Sequence, residues 1–111
     1  MRINNEVYGR TFTSHLWMDR GGGVVEHTHD PSSTHFTICL RGSCLFVEPG
    51  RNTLLRAGEL YAPDEGVPHQ IIGLEDGTEI MHINCQPIVE DWPGGVTEEF
   101  EGPHFSIPEG Y

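Results

Sequence analysis

Apolar and polar residues alternate along this chain in short runs. No long stretch repeats an apolar residue every three or four positions, the spacing a helix would need. Thr11–Met18 is rich in β-branched and aromatic side chains and reads as a strand. After a turn through Gly21, Gly22 and Gly23, residues 24–29 form the next, with Val25, His27 and His29 expected on one face. Residues 35–40 alternate His35, Thr37 and Cys39 with Phe36, Ile38 and Leu40, and both faces are expected to be at least partly buried. Arg41, Gly42 and Ser43 turn the chain, residues 44–48 run back, and a turn at Pro49 and Gly50 leads to short segments at 53–57 and 59–62. The loop 63–68, with two prolines and a glycine, delivers His69 to the start of a strand at 69–72. Thr78–Cys85 is the last long strand, with Ile80, His82 and Asn84 sharing a face.

About eight short antiparallel strands joined by tight turns predict an all-β fold, a double-sheet jelly-roll barrel. The length of 111 residues fits one domain. Its barrel core is expected over about residues 11–86, with residues 1–10 as a lead-in and at most a short edge strand. Residues 87–111 carry four prolines and little periodicity, and form a tail that wraps the barrel, caps a partner or stays mobile.

Charge narrows the partners. Six Lys and Arg against 17 Asp and Glu give a formal net charge of −11, which repels phosphate backbones and anionic lipid. Nucleic-acid and membrane-surface roles are therefore not expected. No apolar run is long enough to span a bilayer and the N-terminus lacks the apolar core of a signal peptide, so the cytoplasm is the expected compartment. Three cysteines without a CxxC pair fit that setting. Cys39 and Cys44 flank the turn at Arg41–Ser43 and face each other if that turn closes a hairpin, but buried free thiols are the preferred reading; Cys85 is placed in the core as well.

The chemistry gathers at the histidines. His27 and His29, two apart, project from one face of a strand, and His35 follows after Asp30, Pro31, Ser32 and Ser33, a run that can fold the next strand beside the first. Three imidazoles facing one point make a candidate metal site. The plain alternative for each is an ordinary polar residue at a strand end.

The spacing is also specific. Five residues separate Gly21 from His27, five separate His29 from His35, and six separate His35 from Gly42. This resembles the first motif of the cupin superfamily: glycine, five residues, His-x-His, a short gap, usually glutamate, six residues, glycine. Gly58, Pro63, Gly66 and His69 resemble the second motif of glycine, proline, glycine and histidine, slightly shortened between Gly58 and Pro63. The resemblance covers about residues 20–85. It implies a double-stranded β-helix barrel, commonly a homodimer, with one divalent metal per chain in its open mouth. His27, His29 and His69 stand at the family's histidine ligands. His35 stands where glutamate is usual, and is read as a fourth ligand, with a group hydrogen-bonded behind the ligands or a substrate contact as the alternatives. Four-histidine cupins exist in the family, a zinc-dependent polyketide cyclase among them. Imidazole suits Fe, Zn, Ni and Cu, and Mn also enters for redox-neutral chemistry.

His82 is the candidate acid/base group, weighed against a core histidine bonded to a polar neighbour. Tyr61 is a candidate substrate contact, as is Gln70, and either is equally plain packing. Trp17, Met18 and Phe12 are assigned to core or dimer contact, His15 and His104 to the surface, and Glu98, Glu99 and Glu101 to a solvated face. The leading expectation is an enzyme acting on a small oxygen-containing molecule, as a dioxygenase or as a redox-neutral isomerase, cyclase or lyase. A small-molecule binding or sensing barrel, or a barrel whose metal is structural, is the alternative.

Overall fold

The computed structural model describes residues 1–28, 34–64, 66–85 and 96–111. Regular structure among them is entirely β, and no helix is long and apolar enough to cross a membrane. Ten strands form: β1 (Arg2–Tyr8), β2 (Thr11–Met18), β3 (Gly23–His27), β4 (Thr34–Arg41), β5 (Ser43–Glu48), β6 (Arg51–Arg56), β7 (Leu60–Tyr61), β8 (His69–Gly73), β9 (Thr78–Cys85) and β10 (Val96–Glu99). They build a six-stranded sheet in the order β10-β1-β2-β9-β4-β7 and a four-stranded sheet in the order β3-β8-β5-β6, with every pairing antiparallel. From β3 to β9 the chain changes sheet at every connection but β5–β6, which closes a tight hairpin at Pro49 and Gly50. The two inner faces enclose Leu16, Met18, Cys39, Cys44, Phe46, Leu55, Ile71 and Ile80. Period-2 alternation in each long strand supplies that core and leaves the other face outward.

Several expectations change. The turn at Gly42 is not a hairpin: β4 and β5 lie in different sheets. Cys39 and Cys44 meet because the inner faces of the two sheets meet, and both are buried free thiols. Burial pushes both thiols up, Cys44 far above the usual range, so they stay protonated and inert. Cys85 is exposed rather than in the core, because it ends β9 opposite Thr11 and Thr34 at the rim of the sheet. Trp17 points outward between the buried Leu16 and Met18, stacked on His15 at 3.8 Å with the Arg2 guanidinium 4.4 Å from its ring. His15 also bonds the Glu79 carboxylate at 2.6 Å on this outer surface.

The strand ladders run beyond residues 11–86 at both ends. β1 is no edge strand: it pairs along its whole length with β2 and on its other side with β10. The C-terminal segment then wraps the barrel. The Met1 ammonium donates to the Phe100 carbonyl at 2.8 Å, the Phe105 N–H to the Gly21 carbonyl at 2.7 Å, and the Arg20 guanidinium to the Tyr111 carbonyl at 3.2 Å. His104, exposed as expected, lies against Gly21, which has φ +89° and whose added Cβ would come within 2.5 Å of the His104 ring. Glycine is required there on both counts.

Gly23 carries a different constraint. It sits opposite Ile72 where β3 meets β8, and a Cβ on it would fall 1.8 Å from the Ile71 carbonyl oxygen. Backbone cannot yield as a side-chain tip can. Gly23→Ala is expected to lower unfolding stability by about 3 kcal/mol, the upper end of the cost of overpacking, measured by urea denaturation.

Candidate metal centre

Four described histidines come together at one end of the barrel, two from each sheet. His27, the last residue of β3, is the register partner of His69, the first residue of β8, and their ring centroids are 4.4 Å apart. From the facing sheet, His35 near the start of β4 lies 5.7 Å from the His69 ring and 5.9 Å from that of His82 on β9. His69 is 1% and His35 8% exposed; His27 and His82 are part-buried. His29 and the turn that follows it lie outside the described residues. Among the described residues no three His, Cys, Asp or Glu side chains are disposed so as to hold a metal ion.

The donor chemistry nevertheless fits a divalent transition metal. His27 Nδ1 bonds the Val25 carbonyl at 2.8 Å and His69 Nδ1 bonds the Val67 carbonyl at 3.1 Å. A carbonyl oxygen only accepts, so each bond fixes the proton on Nδ1 and leaves the Nε2 lone pair as the donor atom. Backbone orientation of this kind is how metal-binding imidazoles are usually held. Burial, and then the neighbouring rings of His69 and His27, hold the His35 imidazole below its ordinary value. Burial does the same for His69, partly opposed by its bond to Val67 and by the Glu48 carboxylate. Both present uncharged nitrogens at neutral pH, the form a metal ligand needs.

A β-bulge shapes this end. Pairing of β3 with β8 is regular at Val24 and shifts before His27. Val24 and His27, three residues apart, therefore face the same interior cavity, while Val25, expected beside His27, is 56% exposed. Re-aiming a side chain in this way is what bulges do. The cavity measures about 150 Å³ and is bordered by His27. His82 also borders it, with Nδ1 sharing a 3.0 Å hydrogen bond with the buried Thr37 hydroxyl. Asn84, opposite His35 in register and one pleat nearer the rim than His82, has a buried Oδ1 with no hydrogen-bond partner among the described residues.

Tyr61 lies to one side of the histidines. Its hydroxyl donates to the Glu48 carboxylate, and the Arg51 guanidinium donates to the same hydroxyl oxygen at 2.6 Å. Burial and the bond to Glu48 push this phenol up. Glu48 was not singled out in the sequence, yet it is 7% exposed and its charge reaches His69. A signal was present: Cys44 and Phe46 are inward residues of β5, and the same alternation turns Glu48 inward. Gln70 follows His69 on β8, opposite Val47.

Two antiparallel sheets closed face to face make a jelly roll, and the chain shares this fold with solved cupin structures. Neither a family model nor a curated protein sequence matches it, but solved structures do. The structure of KdgF from Halomonas sp. matches with a TM-score of 0.67, covering 78% of this chain and 80% of that one at 15% identity. An RmlC-like cupin protein from Desulfovibrio desulfuricans matches with 0.68, covering 78% and 82% at 16% identity. A cupin-2 domain-containing protein from Shewanella frigidimarina matches with 0.61, covering 72% and 74% at 22% identity. At these identities the likeness establishes the fold.

The role of Tyr61 as the partner of a buried carboxylate is directly testable. Tyr61→Phe removes a donor from Glu48 and is expected to cost about 1–3 kcal/mol of stability by urea denaturation, with metal content unchanged.

Proposed function

We propose that this protein is a metal-dependent enzyme acting on a small oxygen-containing organic molecule, with one divalent transition metal per chain. His27, His29 and His69 are its ligands and His35 the fourth. The observation that carries the reading is the convergence of His27, His35, His69 and His82 from two sheets, with His27 and His82 bordering a cavity. A divalent ion held by these residues would supply a positive charge to polarise a carbonyl or hydroxyl oxygen of the substrate.

The chain's own groups divide the remaining work. The Val25 and Val67 carbonyls orient His27 and His69. Thr37 orients the His82 ring through its bond to Nδ1 at the cavity wall, and in this reading His82 is the acid/base group. An all-imidazole donor set brings no negative charge, so the ion keeps its full charge, which supports redox-neutral isomerase, cyclase or lyase chemistry. Iron in the same site would instead support a dioxygenase. A binding or sensing barrel is the second reading, favoured by a cavity whose walls, apart from its two histidines and Ser14, are aliphatic. Free buried thiols at Cys39 and Cys44 support a reducing, cytoplasmic setting.

We further propose a homodimer. On the outer face of the six-stranded sheet, Phe36 pairs with Ile83 and Ile38 with Met81 and Leu60. These residues and Leu40 form a part-buried to exposed apolar stripe without a formal charge. A second copy of the chain, meeting the same stripe about a two-fold axis, is the occupant that needs no other protein.

Two measurements check these readings. Elemental analysis of protein purified without added metal is expected to find about one equivalent of a transition metal, lost in His27→Ala and His69→Ala and kept in His82→Ala. Zinc, nickel or manganese would favour the redox-neutral chemistry and iron the dioxygenase; metal retained in both ligand variants contradicts the site. Sedimentation is expected to show a dimer that Ile38→Glu converts to a monomer.

A further inference from the structure

The cavity bordered by His27 and His82 has a chemistry of its own, distinct from those two imidazoles. Its walls are Leu16, Val24, Ile71 and Ile80, drawn from both sheets, and Ile3 from the strand that precedes the region of motif resemblance. Besides His27 and His82, Ser14 contributes a hydroxyl, and that hydroxyl already donates to Asn5 Oδ1 at 2.8 Å. The bulge in β3 sets Val24 and His27 on one lining, so hydrocarbon wall and nitrogen donor are built by the same short strand.

From this lining we infer the substrate class: a compact hydrocarbon body of about benzene's size, carrying its reacting carbonyl or hydroxyl oxygen at the end that faces the histidines. The inference rests on the proposed enzyme site and adds what that site accepts. Size sets one limit. An apolar cavity of about 150 Å³ fits one small ring or a branched chain of similar bulk. Polarity sets the other. A ligand hydroxyl turned towards Leu16, Ile71 or Ile80 would leave its water partners and meet no replacement, so polyols and sugars are rejected while a single oxygen at the mouth is not.

The test uses the full chain, metal-free and metal-loaded, with methyl-labelled Ile, Leu and Val followed by NMR. Cyclohexanone is the probe, with glucose for comparison. Saturable shifts at the Val24, Ile71 and Ile80 methyls are expected with cyclohexanone and not with glucose. Val24→Phe, which fills the cavity from β3, is expected to weaken cyclohexanone binding at least tenfold with metal content intact. Ile3→Phe, which fills it from β1, gives the same readout where Val24→Phe does not fold. Absence of saturable shifts in the wild-type chain, equal binding of glucose, or unchanged affinity in a folded filling variant overturns the inference. A chain that binds metal but not cyclohexanone refutes this substrate class and leaves the metal site standing. Cyclohexanone binding by a chain that takes up no metal refutes the metal site and leaves the cavity assignment.

Discussion

The register between β3 and β8 is the constraint on which the rest of the site depends. Gly23 lets the two backbones meet at a distance no side chain would allow, and that contact starts the ladder. The bulge then shifts it before the strand ends, so that His27 arrives opposite His69 and over the cavity instead of beside the exposed Val25. A one-residue slip in this pairing would send every side chain of the short strand to the other face. The opposite wall is less exacting. β4 and β9 pair over almost their whole length, and the one register shift among the described pairs, between Cys39 and Arg41, lies away from His35 and His82.

Both sides of the cluster are tuned to stay uncharged. His35 and His69 are buried enough that protonation is penalised, and each lies beside another imidazole that opposes a second charge. Glu48 is the counterweight. Its carboxylate is buried, tied to the Tyr61 hydroxyl and the Arg51 guanidinium, and it raises the proton affinity of His69 without being a neighbour in sequence. The chain thus places a carboxylate within electrostatic reach of His69.

Much of this could be read from residue order. The bounds of β2 and β9 follow from period-2 alternation and the flanking turns, and the glycine and proline spacing marked where His27, His35 and His69 would fall. What alternation cannot show is where it is interrupted. The bulge moves Val25 outward against the face rule, and the end of β9 puts Cys85 at a rim that its apolar character does not announce. Sheet switching at Gly42 is equally hidden, because a tight turn inside a hairpin and a tight turn between sheets use the same residues. β1 and the C-terminal wrap were under-read for another reason. Their ladders are with each other and with β2, so their order comes from partners distant in sequence and not from local pattern.

The central claim is that imidazoles from both sheets hold one metal ion. X-ray absorption spectroscopy at the zinc edge, on the full chain loaded with one equivalent of zinc, tests it most directly. The account predicts three or four imidazole nitrogens at about 2.0–2.1 Å with the outer-shell scattering of histidine rings. A first shell of sulfur at about 2.3 Å, or of oxygen without ring scattering, would contradict it.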